Sequence, residues 1–405
     1  MNLRPETRLA HVGSPTFNPE TRTAPVNTPV VRTSTVRFQD MNAYDEVCSR
    51  HAAGERIASY GRQGLDTHRA LEDAISELEQ GRHTQLLPSG LSAISYTLLA
   101  LLSPGDHVLV SDSVYSPVRR IQVALLDRLG IQFSYFPVSE PIGRHVRPTT
   151  RLIYAESPSS LLFEVLDLPA LSAQARQLGI PLAVDNTWGA GHFYKPLTLG
   201  ADISIQAGTK YISGHSDLML GSITTVDDVL ARRLAHTNDA LGLTISADDA
   251  YLALRGVRTL PVRLAQHHLN ALQVARHLDE RAGIARVFYP ALESDPGHAL
   301  WKRDFSGANG LLSFSFDRAE IPAARAFIDA LQLFGIGASW GGFESLVTLI
   351  DPQRLAEHSY WQNGDRPAIR LHIGLEHPDD LIEDIEQALT VAGLASPQAD
   401  TYIQE

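Results

Sequence analysis

The chain has a single cysteine, Cys48, among 405 residues. One thiol closes no internal disulfide, which excludes the stapled scaffold of a small secreted domain and fits a reducing compartment, the cytoplasm. A basic surplus is missing as well: 46 acidic residues stand against 34 basic ones, a formal charge of −12. Such a chain lacks the basic face that nucleic acid or an anionic membrane surface requires, so a small-molecule partner is expected. Long hydrophobic runs are absent too. The greasiest stretch, AISYTLLALL, is about half of the roughly 20 residues a bilayer span takes, and the opening MNLRPETRLAHVGSPTF has no apolar signal core. Neither a membrane segment nor export is expected. Aromatics are sparse at 7%, yet 44% of residues are hydrophobic, enough for a sizeable core. The length suits a large domain with a smaller satellite.

Along the chain, residues 1–60 are rich in Pro, Thr and Arg with no sustained period, which predicts an extended arm of the kind that embraces a neighbouring subunit. From Asp66 the pattern turns helical: DTHRALEDAISELEQG opens on an N-cap candidate and closes on Gly81. Short β-type runs follow, HTQLL, HVLVS, IQFSYF, RLIYAE, PLAVDN and DISIQA, most of them separated by helical stretches. Strand and helix in turn predict an α/β domain over 61–255, a mostly parallel sheet sandwiched by helices, with ligands beyond the carboxyl ends of its strands. Near residue 256 the character changes to one long helix and then scattered strands and helices, which predicts a smaller α+β domain over 256–405.

Two residues anchor the chemistry. Asp185 closes PLAVD and Lys210 follows DISIQAGT, so both are expected at the carboxyl edge of one sheet, facing one crevice. A carboxylate and an amine there suit a cofactor with a basic ring nitrogen and an aldehyde, because the acid keeps the nitrogen protonated and the lysine forms a Schiff base. Pyridoxal phosphate has both features. An ordinary ion pair is the plainer alternative. A P-loop is discounted because AGTK lacks the required glycine spacing before the lysine. In LLPSGLSAISYTLLALL a strand turns through Ser89 and Gly90 into a helix whose first N–H groups could seat a phosphate, although Ser89 could equally be a plain cap. Thr209 adjoins the lysine and could serve the same phosphate. Tyr115, just after a strand in SDSVYSP, could stack on a flat cofactor or simply be packed. Arg370, in AIRLHIGLE, could fork a substrate carboxylate or be a surface arginine. Tyr60 and Arg62 in SYGRQG, and Ser339 and Trp340 in ASWGGFESL, are weak signals alone. No metal is expected: His215, His267 and His268 form no H-E-x-x-H pattern and Cys48 has no cysteine partner.

Taken together, YGRQG, ESPSSLLFEV, DNTWGAG, SIQAGTKYISGHSD, RGVRTL, GHALWKRDF, SWGGFESL and IRLHIGLE resemble, in order, the pyridoxal-phosphate enzymes of cysteine and methionine metabolism, of fold type I. Trp188 and Trp340 resemble the β-lyase branch of that family rather than its γ-acting members. The resemblance implies that Lys210 binds the cofactor aldehyde and moves the proton, and that Asp185 holds the pyridinium nitrogen. Tyr115 would stack on the ring and assist proton transfer. Ser89, Gly90, Leu91 and Thr209 would surround the phosphate, with Tyr60 and Arg62 arriving from a neighbouring subunit. Arg370 would clamp the substrate carboxylate, with Asn186, Ser339 and Trp340 nearby. It further implies a homotetramer built from dimers and β-elimination of L-cystathionine to homocysteine, pyruvate and ammonia, a step of methionine biosynthesis. γ-Lyase, γ-synthase or cysteine desulfhydrase activity is the alternative, and an idle cofactor- or nucleotide-binding protein is the alternative of another class. One departure stands out. After Tyr115 the chain reads SPVRR, with Arg119 and Arg120 where the β-lyases are more acidic, which leaves the preferred leaving group open.

Overall fold

A computed structural model describes residues 3–394 except 363 and 365. Its large sheet collects β1 (His83–Leu87), β2 (His107–Ser111), β3 (Gln132–Phe136), β4 (Thr150–Glu156), β5 (Leu182–Asp185), β6 (Ile203–Gln206) and β7 (Gly221–Thr225). The spatial order is β1-β7-β6-β5-β4-β2-β3, and β7 alone runs against its neighbours. Around it lie α1 (Pro5–His11), α2 (Met41–Ala52), α3 (Asp66–Glu79), α4 (Gly90–Leu101), α5 (Pro117–Ile121), α6 (Leu168–Leu178), α7 (Asp228–Leu241) and α8 (Ala247–Asp279). The second sheet, β10-β11-β12-β9-β8, is built from β8 (Ile284–Phe288), β9 (Leu311–Phe316), β10 (Gly335–Ile336), β11 (Leu346–Ile350) and β12 (Ala368–His372). With it go α9 (His298–Asp304), α10 (Ile321–Ala330), α11 (Pro352–Leu355) and α12 (Pro378–Val391). The α/β sandwich with a smaller second sheet is therefore present as expected. No helix among the described residues is long and apolar enough to cross a membrane.

The central strands β2, β5 and β6 are buried at every position, as strands covered by helices on both faces must be. Parallel pairing sets the register that matters: Glu156 lies beside Asp185, and Asp185 beside Ile205, so the ends of β4, β5 and β6 line one edge. Two helices then close on that edge. α3 buries Leu71, Ala74, Ile75 and Leu78 along one face, and α8 packs against the same core. Gly256 of α8 lies so close to the turn after β6 that an added Cβ would fall 2.3 Å from the Ile212 carbonyl. Arg263 on the same helix donates to the carbonyls of Tyr211 at 2.9 Å and Gly256 at 2.7 Å.

Three local expectations are corrected. Residues 1–60 are not wholly extended: α1 buries Leu9, and Arg258 donates to the Leu9 and Val12 carbonyls, while Asp40 caps α2 by accepting from the Ala43 N–H at 2.9 Å. Asp66 is the first helical residue of α3 rather than its cap, which is Leu65. The long helix starts at Ala247, so the boundary drawn at 256 falls inside α8. The missed start signal is the Ser246 hydroxyl, which accepts from the Asp249 N–H at 3.0 Å, with Asp248 and Asp249 in the first turn.

Candidate active site

Asp185 ends β5 and is buried, its carboxyl accepting from the Thr187 N–H at 2.9 Å, the Thr187 hydroxyl at 2.5 Å and the Tyr154 hydroxyl at 3.3 Å. Burial pushes its pKa up against those donors. Glu156 ends β4 beside it and accepts from the Tyr115 N–H at 2.6 Å; burial, and then the Asp185 charge, raise it well above the usual carboxylate range. Among the described residues neither acid has an ion-pair partner. A buried and a half-buried carboxyl side by side at one strand edge leave a place for a cationic group.

Lys210 sits on the turn after β6, its Nζ donating to Ser339 Oγ at 2.7 Å and lying 5.2 Å from the centre of the Trp340 ring. Burial, and next the Arg370 charge, lower its pKa to about 8. The loop carrying Ser339 and Trp340 is pinned against the lysine. Gly341, at φ +94, lies so close that an added Cβ would stand 2.9 Å from the Lys210 carbonyl carbon, and its N–H donates to His372 Nε2 at 3.1 Å. His372 is fully buried, and that burial holds it neutral and able to accept.

Arg370, on β12, donates to the Ala338 carbonyl at 3.0 Å; burial and then Arg354 lower its pKa to about 10. Tyr115 is 43% exposed. Its pKa is raised by burial and then by Glu156, and it also feels Asp185, Arg370 and Arg120. Tyr115 is thus within electrostatic reach of Asp185 and Arg370, and Arg370 within reach of Lys210. Ser89 caps α4, accepting from the Ser92 N–H at 3.1 Å, and leaves the first-turn N–H groups of Gly90 and Leu91 without helical acceptors. Gly90 packs that helix start onto β6, where an added Cβ would come within 2.4 Å of Ala207 Cβ. Thr209 turns its hydroxyl toward Leu220, accepting from that N–H at 2.9 Å.

Other expected residues lie elsewhere. Asn186 is fully buried and spends its amide on Glu79 and on the Tyr194 carbonyl at 3.1 Å, so it does not face the crevice. Strand alternation explains this, since residue 186 points to the face opposite Asp185. Trp188 packs edge-on against Phe305 in the core. Arg62 lies 5.9 Å from the centre of the Tyr60 ring and donates to the Asp239 carbonyl at 3.4 Å, away from Lys210 in the same chain. Arg119 is engaged by the Asp112 carbonyl at 2.8 Å, by Glu357 at 3.0 Å and by the Tyr135 ring. His267 is buried on α8, bonded to the Ile373 carbonyl at 2.9 Å.

Four residues were passed over. Glu156 had the same strand-end signal as Asp185, and Thr187 is the hydroxyl two positions after an aspartate that makes a local turn. Tyr154 and His372 had none, because each acts only through its neighbours.

The model of the Cys/Met metabolism PLP-dependent enzyme family matches residues 6–390. The chain belongs to that family. Pyridoxal phosphate is its cofactor. The residues fit that group: a low-pKa amine for an aldehyde, the buried Asp185 carboxyl, without a counter-cation among the described residues, for a protonated ring nitrogen, and an open helix start for a phosphate. Among relatives in the family, a cystathionine β-lyase of Bordetella avium is 56% identical over 384 residues, 95% of this chain and 97% of that one. A cystathionine β-lyase of Escherichia coli is 40% identical, covering 89% and 92%. A crystal structure of cystathionine γ-synthase from Xanthomonas oryzae, in complex with cystathionine, is 31% identical with a TM-score of 0.87 over 98% of this chain and all of that one.

Proposed function

We infer that the chain is a carbon–sulfur lyase acting on L-cystathionine by β-elimination, with homocysteine, pyruvate and ammonia as products. The carrying observation is its 56% identity, over nearly its whole length, to a cystathionine β-lyase. Pyridoxal phosphate, when bound, supplies an electron sink that lets the substrate Cα–H ionise. In this reading Asp185, oriented by Thr187 and Tyr154, keeps the proton on the ring nitrogen. Lys210 would hold the aldehyde, and its Nζ would take the Cα proton, a task suited to an amine whose pKa burial has brought near the working pH. Ser339 holds that Nζ in place at 2.7 Å. Tyr115, whose ring is half exposed, would stack on the cofactor and assist the proton's movement. Ser89, Gly90 and Leu91 meet the phosphate at the start of α4, with Thr209 beside them. Arg370, whose guanidinium burial has stripped of much of its water, forks the substrate α-carboxylate beside Trp340.

Tyr60 and Arg62 reach the phosphate of a neighbouring copy, in a tetramer built from dimers. The exposed Met41 and Tyr44 on α2, a helix with no buried residue, support an arm that finds its cover on another subunit. The three-part division, an arm over 1–60 and domains over 61–255 and 256–405, is kept as a proposal with α8 joining the two domains. The lone cysteine supports a cytoplasmic setting.

The decisive experiment feeds L-cystathionine to the purified protein and identifies the products. Pyruvate with homocysteine upholds the reading; 2-oxobutyrate with cysteine replaces it with γ-elimination.

A further inference from the structure

Glu79, the last residue of α3, is almost fully buried, and no step of the proposed reaction uses it. Asp185 and Ile205 are register partners on β5 and β6, so the residues that follow them, Asn186 and Gln206, turn to the opposite face of the sheet. Both amides meet Glu79 there. Asn186 Nδ2 donates to its two carboxyl oxygens at 3.2 and 3.1 Å, and Gln206 Nε2 donates to Oε1. Gly191, at φ +63, closes the cluster: an added Cβ would lie 2.9 Å from Gln206 Nε2 and 3.1 Å from Glu79 Oε1. Burial raises the Glu79 carboxyl above the ordinary carboxylate range, opposed by the Lys195 charge and the Asn186 amide. An apolar side chain would fill this space at less cost, but only an acceptor can hold amides from two adjacent strands.

Those amides stand next to the reacting groups. Asn186 follows Asp185 directly, and Gln206 ends β6 just before the turn that carries Lys210, whose N–H donates to the Ala207 carbonyl at 3.1 Å. A second link joins the same strand ends: the Thr187 hydroxyl donates to Asp185 Oδ1 at 2.5 Å and accepts from the Ala207 N–H at 2.9 Å. We propose that Glu79 is a positioning residue for the reaction, its carboxyl tying the ends of β5 and β6 together and so setting the spacing between the Asp185 carboxyl and the turn that bears Lys210. The inference rests on the roles that the lyase reading gives Asp185 and Lys210.

The test is an exchange of acid and amide in the holoenzyme. Glu79→Gln keeps the shape but turns one acceptor into a donor facing two amides. It should lower kcat about tenfold and leave KM within about twofold, since Arg370 on β12 is untouched. The visible circular dichroism of the bound cofactor, which reads how the ring is seated between the two strand ends, should weaken while the absorbance itself is kept. In Glu79→Gln/Gln206→Glu the new amide can accept from Asn186 and donate to the acid now on β6, so kcat should return to within about threefold of wild type and the dichroism with it. Should Glu79→Gln not fold, Gln206→Leu removes one amide and keeps the acid, and about threefold in kcat with the same spectral loss is expected. A variant that melts earlier but keeps wild-type kcat and dichroism overturns the inference, as does a folded exchange variant that regains neither. Wild-type protein that gives no pyruvate from cystathionine overturns the lyase reading instead, and the dichroism still decides for or against Glu79.

Discussion

Ser339 Oγ accepts from Lys210 Nζ across 2.7 Å, although the two residues are 129 positions apart. The amine comes from the turn after β6 and the hydroxyl from a loop of the second sheet's domain, so the amine's setting depends on both sheets. Among the described residues, nothing anionic pairs with that amine. Burial and the Arg370 charge therefore act on it unopposed, and its pKa falls to about 8.

The first prediction concerns that amine. Lys210→Ala is expected to lower lyase turnover by more than about 10³-fold, because both the covalent anchor and the Cα base are lost. The visible absorbance of the purified protein should weaken with it. A Lys210→Ala protein that is yellow and releases pyruvate at a tenth of the wild-type rate would remove Lys210 from the chemistry.

The pH dependence has a definite sign. Only the neutral amine attacks an aldehyde, and a group whose pKa is lowered to about 8 is mostly protonated below that pH and mostly neutral above it. Uptake of pyridoxal phosphate by cofactor-stripped protein should therefore quicken as pH rises toward 8 and level off beyond it. Arg370→Gln removes a cation that depresses the lysine, so the midpoint should move upward. Stopped-flow absorbance at several pH values reads both, and a downward or absent movement contradicts the coupling.

The Asp185 carboxyl separates charge from orientation. Asp185→Asn should cost roughly 10²–10³-fold in kcat, the scale of losing one electrostatic stabiliser aimed at the reacting system. Thr187→Val removes the hydroxyl held at 2.5 Å but leaves the carboxylate, and about fivefold is expected. Steady-state kinetics on the two variants distinguish them. Equal losses would mean that the threonine, not the charge, governs the site.

Gly341 offers a test of the pinned loop with an internal control. Gly341→Ala places a methyl group 2.9 Å from the Lys210 backbone at φ +94, whereas Gly105→Ala has a similar strain at φ +91 and open space around it. Each should lose about 1–3 kcal/mol of stability from backbone strain. Only Gly341→Ala should also lose turnover, by displacing Ser339 and Trp340 from the lysine. Thermal unfolding measured alongside pyruvate release shows whether the two effects part.

Asp185 ends β5 and Lys210 follows β6, the places the strand-end reading gave them, because position along a buried parallel strand dictates where a side chain emerges. It did not reach Asn186, whose direction follows from alternation but whose partner Glu79 lies 107 positions away. Arg119 and Arg120 looked equivalent as letters. The roll of α5 makes Arg119 an internal clamp and leaves Arg120 exposed.

Local order along the chain determined the alternation of strand and helix, the acid and amine at the strand ends, and the excess of acidic over basic residues. These depend on periodicity and composition, which neighbouring residues alone define. Folding in three dimensions decided which hydroxyl meets the lysine, which two acids share a strand edge, and which arginine is clamped. The lysine–hydroxyl pairing joins residues 129 positions apart, and only the packing of the second sheet's domain against the first brings them within reach.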